Sequence, residues 1–384
     1  MPMHIRNSNM TFKELNISEP IIKALNEKNY TTPTPIQQQA IPVAIAGRDI
    51  LGIAQTGTGK TAAFAIPIIE HLSLEIRNKT NIKGVKALIL TPTRELAIQI
   101  EESFCDYAKH TNIKLTVLFG GVKQKAQVDS INRGTDIIIA TPGRLLDLIG
   151  QRIVSLDKIT HFVLDEADRM LDMGFVHDIK KVLQLLPKKR QNFLFSATMP
   201  NEIISFVKNI LQNPLRVEIT PVSSVVDTIE QHLYYVEKPM KIDLLFNLLN
   251  KQEDKSVLIF SRTKHGADKI AKVLNNNHFG CEAIHGNKSQ NARQKALSNF
   301  KTGKTRIIVA TDIAARGIDI QNLGIVINFD MPDVAETYVH RIGRTGRAGN
   351  SGMAFTFCSR DEHGIVKSIQ QLTGKKLSST PIPA

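Results

Sequence analysis

The chain of 384 residues has only three cysteines, Cys105, Cys281 and Cys358, and they lie far apart. Three thiols without metal-ligand spacing exclude a disulfide framework and a zinc site, so we interpret them as reduced. No apolar run approaches the ~18 residues of a membrane helix. The first residues also lack the apolar segment of a signal peptide. We therefore expect a cytoplasmic protein that has no membrane partner.

The chain also lacks a basic tail, although its net charge is +13. The basic surplus is +6 in residues 1–215 and +7 in residues 216–384, so neither half holds it alone. Such a surplus favours a polyanionic partner. A solvated surface of mixed charge would produce the same balance, and so would a binding groove to which both halves contribute.

Short apolar runs alternate with helical patterns along the chain, which is typical of a mostly parallel sheet flanked by helices. The length suits two such α/β domains. The predicted strands are 49–54, 87–91, 116–119, 136–140, 162–165 and 192–196 in the first half, and 256–261, 281–285, 306–311, 325–329 and 352–358 in the second.

Proline and serine interrupt the pattern between the two halves, around Pro221 and Ser223-Ser224. We predict a disordered N-terminus at 1–10, a first domain at 11–215, a linker at 216–225 and a second domain at 226–384. Polar or glycine-bearing loops follow nearly every predicted strand. Because ligands bind at the carboxyl ends of strands in open α/β sheets, we expect these loops to line a cleft.

The segment from Ala54 to Thr61 reads Ala-Gln-Thr-Gly-Thr-Gly-Lys-Thr between a predicted strand and a predicted helix. This context is what a phosphate-binding loop requires. Its glycines let backbone N–H groups face the phosphates. Lys60 would reach the β- and γ-phosphates and Thr61 would bind Mg²⁺. A glycine-rich turn before a helix is the simpler alternative.

Asp165 and Glu166 follow the apolar run 161–164. Two acids at the tip of a buried strand need a cation or other partners, because unpaired buried charge is expensive. We predict that Asp165 binds Mg²⁺ and that Glu166 is the base for the attacking water. The alternative, that they cap the following helix, is weakened by the nearby phosphate loop.

Arg341, Arg344 and Arg347 recur at every third position and are separated by Gly343 and Gly346. A solvated cationic helix face is one interpretation. The glycines make such a helix costly, so we favour arginine fingers that stabilise the γ-phosphoryl transition state.

Taken together, these segments resemble the DEAD-box RNA helicases of superfamily 2 over nearly the whole chain. Further motifs support the resemblance, and they are Tyr30–Gln37, Pro92–Ala97, Gly120-Gly121, Thr141–Arg144, Asp165–Asp168, Ser196–Thr198, Ile259–Thr263, Gln290–Arg293, Ala310–Asp319 and His340–Arg347. The sequence of Arg169–Phe175 is most similar to that of bacterial members of the RhlE type.

The resemblance implies two tandem RecA-like domains that bind ATP and RNA and unwind short duplexes locally or remodel RNA–protein complexes. It also implies which residues bind ATP. Phe12 would stack on adenine, Gln37 would read the edge of the adenine, and Asp319 would lie near the ribose. The phosphates would be bound by the loop residues Thr56, Gly57, Thr58, Gly59, Lys60 and Thr61. Arg344 and Arg347 would be the fingers. Asp168, Ser196, Thr198 and His340 would couple hydrolysis to domain closure.

The resemblance also implies an RNA set of Arg94, Gly121, Thr141, Arg144, Arg262, Thr263, Gly286 and Thr311. Small residues and backbone amides suit phosphate and sugar contacts, so binding should be independent of sequence. Contacts to 2′-hydroxyls would favour RNA over DNA. We expect a monomer that takes single-stranded RNA or short duplexes and works with ribonucleoprotein or ribosome-assembly partners.

Two alternatives remain open at this stage. An ATP-gated RNA clamp with little turnover would share most of the motifs, but the presence of Glu166 and the arginines argues for turnover. A DNA helicase of the same superfamily is disfavoured by the Tyr30–Gln37 match and by Asp168, where many DNA-acting relatives carry histidine.

Overall fold

The computed structural model describes residues 10–55, 57–78, 83–219, 229–315, 323–346 and 352–382. The chain divides into two compact units, Met1–Thr220 and Pro221–Ala384. Each unit is built on its own parallel sheet. Within the described residues, no helix combines the length and the apolar character needed to cross a membrane.

The first sheet has seven parallel strands in the order β3-β4-β2-β5-β6-β1-β7. Its strands are short and almost entirely buried because helices cover both of its faces. They are β1 Ile50–Ile53, β2 Ala87–Leu90, β3 Leu115–Leu118, β4 Ile137–Ala140, β5 His161–Leu164, β6 Gln191–Ser196 and β7 Leu215–Glu218.

The helices of the first unit pack in two layers. A 3₁₀ turn at Phe12–Leu15 and four helices cover one face, namely α1 Glu19–Glu27, α2 Pro35–Ile45, α3 Lys60–Arg77 and α4 Arg94–Tyr107. Five helices lie on the other face, namely α5 Lys125–Asn132, α6 Pro142–Gly150, α7 Ala167–Asp172, α8 Val176–Leu185 and α9 Asn201–Ile210. Alternate strand residues enter the two cores, as the period of a strand requires.

One glycine is needed where the central strands of this sheet pair. Gly52 of β1 pairs in register with Phe195 of β6. A Cβ atom at Gly52 would lie 2.3 Å from the Phe195 ring. The absent side chain therefore lets a fully buried aromatic ring lie against the strand.

The second sheet has six parallel strands in the order β10-β11-β9-β12-β13-β8. They are β8 Ile229–Tyr235, β9 Val257–Phe260, β10 Cys281–Ile284, β11 Ile307–Ala310, β12 Ile325–Asn328 and β13 Gly352–Cys358. The helices around it are α10 Lys241–Asn250, α11 Lys264–Asn276, α12 Gln290–Lys301, α13 Asp312–Ala315, α14 Ala335–Ile342 and α15 His363–Thr373, with 3₁₀ turns at Lys238–Met240 and Arg360–Glu362. Separate apolar clusters fill its two faces.

Each strand predicted from the sequence is found, with ends that differ by at most one residue. Two strands escaped prediction, and both lie at a sheet edge: β7 pairs only with β1, and β8 only with β13. The linker predicted at 216–225 starts too early, because residues 216–218 are hydrogen-bonded within β7. Residues 220–225 of that linker, residues 226–228 at the start of the predicted second domain, and residues 1–9 of the predicted disordered N-terminus lie outside the described residues.

Charge is distributed unevenly between the two ends of the first sheet. We call the ends where the chain enters the strands the amino edge and the opposite ends the carboxyl edge. The described segments that enter the strands carry eleven basic residues, Arg48, Lys83, Lys86, Lys109, Lys114, Arg133, Arg152, Lys158, Lys188, Lys189 and Arg190, against the acids Asp49, Asp136 and Asp157. The described segments that leave the strands carry Lys123 against Asp165 and Glu166, and Lys60, Arg94 and Arg144 follow in the first turns of the next helices.

Candidate functional site

The predicted site residues of the first unit lie at the carboxyl edge of its sheet. The phosphate loop follows β1, Asp165 follows β5 and Ser196 ends β6, and these three strands are neighbours. The loops with Arg94, Gly121 and Thr141 follow β2, β3 and β4, which are also neighbours. The sheet order therefore separates the predicted nucleotide residues from the predicted RNA residues along one edge.

The phosphate loop has the backbone that its glycines predicted. Gly57 and Gly59 have φ angles of 87° and 93°, which favour glycine. Helix α3 starts at Lys60, so its N-terminal N–H groups point toward the loop. The Lys60 Nζ atom donates a hydrogen bond to the Ala54 carbonyl at 2.8 Å. The lysine is buried at the place where a phosphate chain would need a cation.

Gln37 holds the segment before α2 against the phosphate loop. Its Nε2 atom donates to the Gly59 carbonyl at 3.1 Å, and its Oε1 atom accepts from the Thr34 N–H at 2.9 Å. The Thr34 hydroxyl donates to the Thr58 carbonyl at 2.8 Å. Any movement of the phosphate loop is therefore transmitted to the amide predicted to read adenine.

Phe12, which is predicted to stack on adenine, lies in the core of the first unit. Its side chain is 4% exposed and packs with Leu15 and Ile36. Apolar burial fixes the N-terminal segment here, and the stacking role stays a prediction.

Asp165 and Glu166 are both buried at the end of β5. Burial raises the pKa of Asp165 to about 6, and the nearby Lys60 ammonium opposes that rise. Glu166 has a φ of 50° and forms a buried ion pair with Arg169 one turn later in α7. Buried oxygens beside a phosphate loop suit Mg²⁺, which prefers carboxylate and hydroxyl ligands. Asp165 and Thr61 therefore fit the predicted metal role.

Asp168 connects the segment after β5 to the segment after β6. Its Oδ2 atom accepts from the Ala197 N–H at 3.1 Å and from the Thr198 N–H and hydroxyl, both at 2.9 Å. The Asp168 N–H donates to the Ser196 hydroxyl at 3.3 Å, and that hydroxyl donates to the Thr198 carbonyl at 2.7 Å. The structure thus brings together three of the four predicted coupling residues, while His340 belongs to the second unit.

Arg94, Gly121 and Arg144 pack closely at the other half of the carboxyl edge. A Cβ atom at Gly121, whose φ is 76°, would lie 2.1 Å from the Arg94 guanidinium. The Arg144 guanidinium donates to the Gln127 side chain and to the Val122 carbonyl, both at 3.1 Å. Thr141 precedes the first turn of α6. Two guanidinium groups beside a glycine-containing loop suit contacts to a phosphate backbone.

The second unit requires a correction to the predicted arginine stripe. Arg341 is 2% exposed and forms two hydrogen bonds of 2.6 Å to the Asp312 carboxylate. Its guanidinium also lies 4.9 Å from the centre of the Phe260 ring. Arg341 is therefore a buried structural ion pair. His340 and Arg344 line a small pocket beside this pair.

The predicted RNA residues of the second unit also follow its strands. Thr263 caps α11 by accepting from the Gly266 N–H at 2.9 Å. Arg262 is held by the Glu362 carboxylate at 2.6 Å and lies 3.4 Å from Asp333. Gly286 and Thr311 follow β10 and β11. The structure places these four residues at one edge of the second sheet.

Three predicted site residues, Thr56, Asp319 and Arg347, lie outside the described residues. Sequence reasoning missed three residues that the structure brings to the site: Thr34, Arg169 and Asp312. Thr34 could have been found, since Thr34 and Gln37 have the spacing of a capping box.

Comparison with known proteins agrees with this geometry. Residues 34–206 match the family described as DEAD/DEAH box helicase, and residues 240–349 match the helicase conserved C-terminal domain. The chain is 40% identical to the DEAD-box ATP-dependent RNA helicase CshA of Bacillus subtilis over 374 residues, which is 97% of this chain and 74% of that protein. It is also 40% identical to CshA of Geobacillus kaustophilus over 375 residues, 97% of this chain and 79% of that protein.

Solved structures give the same result. Dbp5 of S. cerevisiae bound to RNA and ADP BeF3 is similar with a TM-score of 0.83 and 30% identity, over 97% of this chain and 96% of that chain. The DEAD-box helicase Mss116 bound to ssRNA and UDP-BeF has a TM-score of 0.86 and 28% identity, over 97% and 80% of the two chains. These comparisons confirm the predicted RecA-like fold and leave the RhlE-type resemblance a prediction.

Proposed function

The chain belongs to the DEAD-box ATP-dependent RNA helicases, and from that membership we propose how its residues divide the work. It is an ATP hydrolase whose activity is directed at RNA. The proposed division follows the order of the strands: β1, β5 and β6 carry the nucleotide residues, and β2, β3 and β4 carry the RNA residues of the first unit.

On the nucleotide side, the loop N–H groups and Lys60 hold the triphosphate, and Thr61 and Asp165 hold Mg²⁺. Bound Mg²⁺ would neutralise charge on the phosphates. Asp165 supports this assignment because burial raises the pKa of its carboxyl group to about 6. A cation beside it would favour the ionised form. Gln37 selects adenine through its amide, which is oriented by Thr34 and Gly59.

Glu166 orients and deprotonates the attacking water, and Arg344 and Arg347 stabilise the developing charge. The observation that carries this assignment is the placement of Glu166 between Asp165 and the Asp168 network. Arg169 pairs with the buried Glu166 carboxylate and supplies its counter-charge. Asp168, Ser196, Thr198 and His340 then communicate the state of the nucleotide to RNA.

On the RNA side, guanidinium groups and backbone amides contact phosphates and sugars, so recognition does not depend on sequence. We expect local opening of short duplexes or remodelling of RNA–protein complexes by a monomer in the cytoplasm. The arrangement that supports this is the pair of Arg94 and Arg144 around Gly121. Ribonucleoprotein or ribosome-assembly partners would direct it to particular RNAs.

The assignment of the base can be tested by comparing Glu166→Gln with Lys60→Ala in RNA-stimulated ATP hydrolysis and in nucleotide binding. Glu166→Gln should reduce kcat by about 10²–10⁴ because a general base is removed, while nucleotide affinity changes by only a few-fold. Lys60→Ala should instead weaken nucleotide binding. The exposed Glu202→Gln is a matched control. Wild-type turnover by Glu166→Gln would show that another group acts as the base.

A further inference from the structure

The amino edge of the first sheet is a basic surface opposite the edge that carries the predicted site residues. Lys83, Lys158, Lys188 and Lys189 are exposed and precede the neighbouring strands β2, β5 and β6. Lys114, before β3, is exposed as well. Because the strands are parallel, all these residues are brought to one edge.

The three acids at the same edge have partners within the protein. Asp49 is buried and accepts from the backbone N–H groups of Asn192 and Gln212 at 2.8 and 2.7 Å. Asp136 accepts from the Lys114 N–H at 2.9 Å, and Asp157 lies 3.7 Å from the Lys158 ammonium. In the part of the chain that the structure describes, no hydrogen bond or ion pair engages the ammonium groups of Lys83, Lys188 or Lys189. The edge therefore carries net positive charge.

The character of this edge favours a nucleic acid over a protein partner. Its described segments contain no exposed large hydrophobic residue, although the exposed Leu185 at the end of α8 adjoins one of them, whereas protein interfaces have an apolar core. Interfaces with nucleic acids are strongly positive instead. We propose that the amino edge is a second RNA-binding surface, which holds the backbone of an RNA whose other part is bound at the carboxyl edge.

The two surfaces are separated by the length of the strands. Four residues at about 3.3 Å each put the edges at least ~13 Å apart. Because helices cover both faces of the sheet, the route over the surface is longer than this straight distance, and only an RNA long enough to follow it can contact both edges. The amino edge should thus raise affinity for long RNAs without regard to sequence and without a direct effect on hydrolysis. The inference rests on the proposed binding of RNA at the carboxyl edge, and different variants test the two edges.

The test is a quadruple variant of the full chain with Lys83→Gln, Lys158→Gln, Lys188→Gln and Lys189→Gln. The matched control carries Lys269→Gln, Lys272→Gln, Lys304→Gln and Lys367→Gln, which remove the same charge from exposed positions of the second unit. The RNA concentration that half-saturates ATP hydrolysis and the Kd are measured with unstructured RNAs of about ten and about forty nucleotides over a range of salt concentrations. Thermal melting of both variants verifies folding.

The amino-edge variant should bind the longer RNA roughly tenfold or more weakly at low salt. The plot of its log affinity against log salt should become less steep. The magnitude of the slope should decrease by about 0.7 for each phosphate that the variant no longer neutralises. Half-saturation by the shorter RNA and kcat should stay at the control's values. Equal affinities of variant and control for the longer RNA would overturn the proposal and leave an acidic protein as the partner to seek. An equal weakening for both RNA lengths would also overturn it.

Failure of the proposed carboxyl-edge contacts would look different. In that case Arg94→Ala would leave stimulation by the shorter RNA unchanged, whatever the amino-edge variant does. The two proposals can therefore fail separately.

Discussion

The two units stabilise an aspartate at the carboxyl edge of their sheets in different ways. In the first unit, Asp168 accepts hydrogen bonds from three backbone N–H groups and one hydroxyl. In the second unit, Asp312 forms a bidentate pair with the buried Arg341. One carboxylate is held by neutral donors of a loop, and the other by a formal charge.

The difference between the partners of Asp168 and Asp312 indicates which of the two carboxylates can change its hydrogen bonds more easily. Neutral hydrogen bonds to a half-buried carboxylate are exchanged readily for water, whereas a buried guanidinium without its partner is left with an uncompensated charge. We infer that the Asp168 network is suited to change during the ATP cycle, and that the Asp312–Arg341 pair holds its part of the second unit fixed.

The largest expected effect comes from replacing each of the two carboxylates by an amide, in separate variants. Asp312→Asn should lower the free energy of unfolding by about 3 kcal/mol, because Arg341 stays buried without its counter-charge. Asp168→Asn should cost about 1–2 kcal/mol, since its partners are neutral. Urea unfolding of the full chain measures both, with the exposed Asp254→Asn as the control. A larger destabilisation by Asp168→Asn would reverse the comparison.

A second difference between the units is a buried histidine pair in the first. The His161 Nε2 atom lies 2.9 Å from the His71 Nδ1 atom, and the His71 Nε2 atom donates to the Ile45 carbonyl at 2.8 Å. Burial, assisted by His71, lowers the pKa of His161 to about 3 from its ordinary value of 6.5. The unfolded chain therefore takes up a proton below pH 6.5 that the folded chain does not.

Stability of the first unit should consequently fall as the pH is lowered from about 6.5 toward about 3. Relative to His161→Gln, the wild type should become less stable by about 3 kcal/mol between roughly pH 7 and pH 4, because each unit of pKa difference corresponds to about 1.4 kcal/mol. Denaturant unfolding at several pH values measures the difference. The exposed His177→Gln should keep the wild-type pH dependence. Parallel pH profiles for wild type and His161→Gln would refute the assignment.

The smallest expected effect concerns two equivalent helix caps. Thr93 accepts from the Leu96 N–H at 3.3 Å at the start of α4, and Thr263 accepts from the Gly266 N–H at 2.9 Å at the start of α11. Each Thr→Ala change should cost about 1 kcal/mol in thermal or urea unfolding, with the greater effect at Thr263, where the bond is shorter. Thr→Ser variants keep a hydroxyl and should restore most of the stability. Equal destabilisation by the Ser and Ala variants would show that the methyl group, not the cap, is responsible.

The sequence predicted the buried strands well because each is a short apolar run between polar loops. It could not predict β7 and β8, although it did predict β3 and β10, which also lie at sheet edges. In β7, only Val217 of Leu215–Glu218 is fully buried, and β8 reads Ile-Glu-Gln-His-Leu-Tyr-Tyr with polar residues inside the strand. Both strands therefore lack the apolar pattern on which the prediction depended.

The local geometry of the site could be predicted where it depends on neighbouring residues and could not where it depends on distant ones. The phosphate loop is a local motif, and its backbone follows from its glycines. The contacts of Arg341 are different, because its partner Asp312 is 29 positions away. Spacing therefore grouped Arg341 with Arg344 and Arg347. The burial of Phe12 could not be predicted for a related reason: only the packed core shows how little of its ring is exposed.

The order of strands in the first sheet sets the distance between the phosphate loop and the Arg94 segment. The phosphate loop follows β1 and the Arg94 segment follows β2, with β5 and β6 between them. At about 4.8 Å for each pair of strands, the two loops begin roughly 14 Å apart. Backbone hydrogen bonds fix this interval, so side-chain substitutions within the loops cannot change it. To change the distance between the two loops, the sheet would have to gain or lose a strand.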